Sequence, residues 1–150
     1  MFEKINKLKV LVIGETIIDQ YNFCEALGKS GKEPYLALKD IYSEDYLGGA
    51  AAIANNIADF TKTTKLVSMI GEKSEYEKFI YSKLKKKIQR TFFKKKNSPT
   101  ILKKRFIDNV SKNKLFGIYS LNDDISSSKD DDKINKYIQK NIEKFDLIII

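Results

Sequence analysis

Apolar residues in this sequence come in two rhythms. Lys9-Val-Leu-Val-Ile13 is a short β-branched run that stops at Gly14, and residues 65–70, stopped by Gly71, and residues 146–150 have the same character. Such runs suit strands buried on both faces of a parallel sheet. Between them, apolar positions recur at helical spacing. Ile53, Ile57 and Phe60 follow the pair Gly48-Gly49; Tyr76, Phe79, Ile80, Leu84 and Ile88 follow Ser74; and Ile134, Tyr137, Ile138 and Ile142 form a third set. Each set predicts a helix that lays one apolar stripe on a sheet. Ser74 with Glu77 has the capping-box pattern that starts a helix.

Residues 19–46 keep neither rhythm. Gly28 and Gly31 lie near Pro34 and precede Tyr35-Leu-Ala-Leu-Lys-Asp-Ile-Tyr42, which predicts an extended excursion from the main sheet. Residues 101–110 and 115–121 flank the polar turn Ser111-Lys-Asn-Lys114 and predict a hairpin, with Lys103, Lys104 and Arg105 leaving its buried face open. The Ser/Asp-rich residues 122–132 lead into the last helix. Strand and helix alternate, so the class is α/β with a mostly parallel sheet. In open α/β sheets ligands sit beyond the carboxyl ends of strands, so a sequence stopping at Ile150 on such a strand is expected to be truncated.

Composition narrows the chemistry. At 150 residues, 42% hydrophobic and 32% charged, the chain has the make-up of one globular domain. No apolar stretch approaches the ~18 residues of a membrane span, and the start carries no hydrophobic signal segment, so the expected location is the cytoplasm. The lone Cys24 and the absence of histidine exclude an internal disulfide, an ordinary zinc site and a histidine base within these residues. A formal charge of +8 raises nucleic acid as a partner. Among the 28 basic residues only Arg90 and Arg105 are arginine, which favours a solvated lysine-rich surface, residues 83–96 included.

The turn after the first strand, Gly14-Glu-Thr-Ile-Ile-Asp19, lacks the G-x-G-x-x-G that lets a pyrophosphate approach the backbone, and no G-x-x-x-x-G-K-[ST] cradle occurs anywhere. What does occur is Gly14-x-x-x-x-Asp19 closing the first strand, Leu47-Gly-Gly-Ala-Ala-Ala-Ile-Ala54 entering a helix, and Gly71 after the second strand. In this order the motifs resemble the ribokinase-like (PfkB) carbohydrate kinases, over nearly all of the chain. The resemblance implies part of a three-layer fold, a mostly parallel sheet flanked by helices with an extended β lid, here residues 20–46 and 100–121. It also implies that Asp19 accepts hydrogen bonds from sugar hydroxyls and that Gly48 and Gly49 form the turn over the sugar. An ionised carboxylate accepts such bonds strongly, and glycine removes the side chain that would block a ligand.

Within that family the sequence is most similar to the heptose-phosphate (ADP-heptose synthase) branch, through Ser30-Gly-Lys-Glu-Pro34 and Thr100-Ile-Leu-Lys-Lys-Arg105. Lys103 and Arg105, two apart on a strand, share a face where a phosphorylated sugar can meet them; a solvated edge strand guarded by positive charge is the equal alternative. The sequence departs from the family pattern after the glycine pair, where Ala52 and Ile53 replace an asparagine ligand of the sugar; Asn55 and Asn56 are nearby but suit surface or packing roles. The implied activity is transfer of the ATP γ-phosphoryl group to a sugar or sugar-phosphate hydroxyl, with Mg²⁺ neutralising the moving charge. The resemblance covers the amino-terminal half of such a kinase. The catalytic base and anion hole are expected beyond residue 150, the fragment alone is expected to be inactive and to hold neither ATP nor Mg²⁺, and pairing of two copies through the lid is a further expectation. A complete non-catalytic sugar-binding module and a basic nucleic-acid-binding protein are the alternatives.

Overall fold

The computed structural model describes residues 2–29, 31, 33, 35–121 and 128–150. Ser30 and Pro34 of the Ser/Glu/Pro segment, and residues 122–127 of the Ser/Asp-rich loop, lie outside the described residues. In chain order the elements are α1 (Phe2–Ile5), β1 (Lys9–Lys29), β2 (Leu36–Gly48), α2 (Gly49–Ala58), β3 (Thr63–Gly71), α3 (Glu77–Lys83), β4 (Gln89–Lys95), β5 (Ile101–Asp108), β6 (Lys114–Ser120), α4 (Ser128–Asn141), a 3₁₀ turn (Ile142–Lys144) and β7 (Leu147–Ile149).

Every strand but β4 and β6 pairs directly with β1. Its first part, residues 9–15, runs parallel to β3 on one side and to β7 on the other, and β4 extends the parallel sheet beyond β3. Its second part, residues 17–29, runs antiparallel to β2 and parallel to β5, with β6 antiparallel beyond. The architecture is a mostly parallel α/β sheet that continues into a second, mixed sheet along one shared strand. The apolar run at the start of β1 is buried on both faces, with Val10, Leu11 and Val12 at most 1% exposed. None of the described helices is long and apolar enough to cross a membrane.

The structure corrects four expectations. Gly14 does not end the first strand; β1 continues for 21 residues. Gly14 instead admits α2, since a side chain at this residue (φ 153°) would press on Ala50 Cβ at 3.3 Å. Secondly, α2 buries Ala50, Ala51, Ala54 and Ala58, while Ile53 and Phe60 are exposed and only Ile57 of the expected stripe packs on the core. Small side chains let the helix axis come close to the sheet, which large ones on that face would prevent. Thirdly, Ser74 caps nothing. Its backbone carbonyl accepts from Glu77, but its hydroxyl has no partner among the described residues, because Ser74 sits at φ 55° in a turn and Tyr76 takes the cap position. Finally, although Lys83, Lys86, Lys87, Lys94 and Lys96 are exposed as expected, residues 89–95 form an edge strand that the lysine-rich pattern did not foresee. Phe92 packs against the core from it while Arg90 lies over the Tyr81 ring. The expected apolar set around α3 is buried as predicted, with Ile80, Leu84 and Ile88 in the core and Tyr76 and Phe79 packed against it, but the helix stops at Lys83, so Leu84 and Ile88 follow it in an irregular segment.

Candidate functional site

The point where β1 passes from one sheet to the other fixes the site. Beyond it, Asp19, Tyr21 and Phe23 alternate onto one face. Antiparallel pairing sets Tyr46, Glu44 and Tyr42 of β2 opposite these three, and parallel pairing sets Lys103, Arg105 and Ile107 of β5 alongside them. The strands β2 and β5 thereby deliver charged and aromatic side chains to one surface, Arg105 from 86 residues beyond Asp19.

At its centre Arg105 Nη1 donates to Asp19 Oδ1, in an ion pair whose side chains are about one-fifth exposed. The hydrogen bond to Asp19 holds the Arg105 guanidinium above its ordinary pKa despite partial burial. The same guanidinium lies 5.4 Å from the centroid of Tyr21, whose ring meets Tyr46 edge-on at 5.7 Å. The Tyr46 hydroxyl donates to Glu44 Oε2 at 2.5 Å, and that bond pushes the phenol pKa up. Phe23 stacks on Tyr42 at 4.5 Å, with Lys112 Nζ 5.2 Å from the Phe23 ring. Asp19, Tyr21, Phe23, Glu44, Tyr46 and Lys112 line a cleft of about 530 Å³. Its size falls within the usual range for small-molecule sites, and its mixture suits a polyol: the carboxylates of Asp19 and Glu44 and the ammonium of Lys112 for hydroxyls, and aromatic faces for C–H groups.

Both glycines of the turn stand against this surface for separate reasons. A Cβ on Gly48 would come within 2.7 Å of Asp19 Oδ2. Gly49 has φ 57°, and a Cβ on it would overlap the Glu15 carbonyl oxygen at 2.3 Å.

Of the residues singled out from sequence, Asp19, Gly48, Gly49 and Arg105 are thus brought together. Lys103 is the register neighbour of Asp19, but its ammonium lies over the Tyr119 ring, 5.7 Å from the centroid. The solvated-edge alternative does not describe this pair, because β5 is held between β1 and β6. Asn55 is committed elsewhere, donating to the Lys83 carbonyl and accepting from the Lys85 amide, each at 3.0 Å, and Asn56 is exposed. Sequence reading missed Tyr21, Phe23, Glu44 and Tyr46. Their signal was a period-two alternation through residues 19–23 and 42–46, obscured by the polar residues on the opposite face. Within the lysine-rich stretch, Lys85 and Lys87 pair with Asp59, and Lys95 Nζ lies 4.0 Å from Glu15.

No family model matches the sequence. The chain is 35% identical over 69 residues to D-beta-D-heptose 7-phosphate kinase of Bordetella bronchiseptica, covering 46% of this chain and 22% of that protein. It is 26% identical over 145 residues to Bifunctional protein HldE of a Nitratiruptor species, covering 96% of this chain and 30% of the relative. Among solved structures it superposes on the Methanocaldococcus jannaschii nucleoside kinase, described as an archaeal member of the ribokinase family, with a TM-score of 0.51 and 21% identity, over 76% of this chain and 37% of that one. The chain therefore spans less than a third of the length of these two sequence relatives. Its fold, a parallel sheet prolonged along β1 into a second sheet, is that of a ribokinase-like α/β protein. The chain is thus similar in fold to the ribokinase-like proteins and in sequence to a heptose 7-phosphate kinase and a bifunctional HldE protein.

Proposed function

We propose that this chain carries the sugar side of an ATP-dependent carbohydrate kinase whose acceptor is a phosphorylated sugar of the heptose class. The observation that carries the proposal is Asp19, which lines the cleft while Arg105 holds one of its carboxylate oxygens and Gly48 of the glycine turn lies against the other. Asp19 accepts from sugar hydroxyls, the glycines leave room for the ring beside the backbone, and Lys103 with Arg105 gives the same face positive charge. The sheet formed by β2, the second part of β1, β5 and β6 serves as the lid, and two copies pair through it in the cytoplasm.

ATP and Mg²⁺ serve the family in general. Among the described residues no three acidic or cysteine side chains stand together. The groups that hold nucleotide, stabilise the moving phosphoryl group and deprotonate the attacking hydroxyl belong, in this proposal, to the part of the kinase outside these 150 residues.

The test is an NMR titration of the ¹⁵N-labelled chain with heptose 7-phosphate and, separately, with ATP. The sugar phosphate is expected to shift the amide signals of Asp19, Gly48 and Gly49, ATP to leave them in place, and Asp19→Ala to weaken sugar binding by about tenfold or more, the scale of a hydrogen bond to a charged group. Equal binding by the Asp19→Ala chain would remove the carboxylate from the site.

A further inference from the structure

Resting on the reading of Asp19 as the sugar acceptor, we infer that Arg105 is a positioning residue that acts on the sugar through Asp19 and is not a ligand of the substrate's phosphate. Both oxygens of the Asp19 carboxylate have fixed neighbours. Oδ1 accepts from Arg105 Nη1, and Oδ2 lies against Gly48, where even one added carbon would come within 2.7 Å.

The guanidinium that grips Oδ1 is itself constrained. Its strand is hydrogen-bonded on both sides, by β1 and by β6, and its charged head lies 5.4 Å from the Tyr21 centroid. Arg105 is in register with Tyr21, not Asp19, so the side chain reaches back along the sheet to the carboxylate one same-face position earlier. A carboxylate held in this way reaches its binding geometry before the ligand arrives, and the ligand forgoes the entropy cost of freezing it. A guanidinium committed to that bond has correspondingly less freedom to follow a phosphate. Lys103 flanks Asp19 in register and is the cation of the pair whose ammonium carries no such bond to Asp19.

The experiment compares two ligands and a mutational cycle, all on the full chain and read by NMR titration, with dispersed amide spectra checking the fold of each variant. Arg105→Gln and Arg105→Lys are titrated with heptose 7-phosphate and with the same heptose lacking phosphate. Action through Asp19 predicts that Arg105→Gln weakens both ligands by the same factor, about tenfold, and that Arg105→Lys recovers part of the loss for both. It also predicts that Arg105→Gln adds little in an Asp19→Asn background, because coupled residues are not additive. A loss confined to the phosphorylated sugar, independent multiplication of the two substitutions, or unchanged affinity for both sugars would each overturn the inference. Failure of the sugar-site reading looks different: there Asp19→Asn and Asp19→Ala leave sugar affinity where it was, whatever Arg105 does.

Discussion

Adjacent glycines in one turn should respond in opposite ways to the same substitution. At Gly49 an alanine must take φ 57°, at a cost of about 1–2 kcal/mol for a side chain in the left-handed region. Its Cβ must also be fitted where the Glu15 carbonyl oxygen would lie 2.3 Å away, and that oxygen belongs to the backbone of the central strand. Forcing an atom into filled space adds about 1–3 kcal/mol. The sum is a large share of the roughly 5–15 kcal/mol that holds a typical domain folded. Gly48, by contrast, has φ −119° and ψ −177°, ordinary extended backbone open to alanine. The nearest atom to its new methyl is Asp19 Oδ2 at 2.7 Å, the far end of a side chain. Gly48→Ala therefore leaves stability within about 1 kcal/mol of the original but displaces the carboxylate. The assay pairs thermal unfolding followed by far-ultraviolet circular dichroism with a sugar titration. Gly49→Ala is expected to lower Tm by roughly 10 °C, and Gly48→Ala to keep Tm nearly unchanged while sugar affinity falls. A Gly49→Ala chain melting with the original would show that the turn does not pack against Glu15 as described.

Two further outcomes follow from groups outside the cleft. The Asp108 carboxylate accepts from the Ser111 and Val110 amides in the β5–β6 turn, and these bonds hold its pKa below the ordinary aspartate value. A depressed folded pKa means the contribution is complete above about pH 4, the unfolded value, and is lost as pH falls through the folded one. Acid titration should loosen this turn, seen as amide shifts at residues 109–112, and Asp108→Asn should abolish that pH dependence; persistence of it in the variant would assign it to another group. Asn55→Ala removes both bonds that tie α2 to the end of α3 and should cost about 1–3 kcal/mol in urea unfolding with sugar affinity unchanged. A loss of sugar affinity without loss of stability would return Asn55 to the site.

Much of the fold was legible because its central strands are buried on both faces. Val10 to Val12, Leu66 and Val67 are nearly inaccessible, and such positions tolerate few residue types, so the run itself reveals the strand. Legibility failed where one face is wet or where shape outweighs hydrophobicity. The strand at residues 89–95 carries Arg90, Lys94 and Lys95 because a sheet edge admits charge, and the charge masked Phe92 and Phe93. In α2 the bulky Ile53 drew attention that belonged to Ala51 and Ala54, both fully buried. Asp19 and the glycine pair were readable as a motif, but their meeting with Arg105 depends on the pairing of β1 with β5, a contact 86 residues long in sequence. Local pattern carries no information on that register.

One unbroken strand serving two sheets also limits how this sequence can change length. Side chains alternate with a period of two, so deleting or inserting a single residue between Ile13 and Ile17 would leave Val10 and Val12 seated while turning Asp19, Tyr21 and Phe23 to the far side of the upper sheet. Substitutions can accumulate across this joint, whereas the count of residues through it is fixed, changing only in pairs or at a bulge that restores the phase.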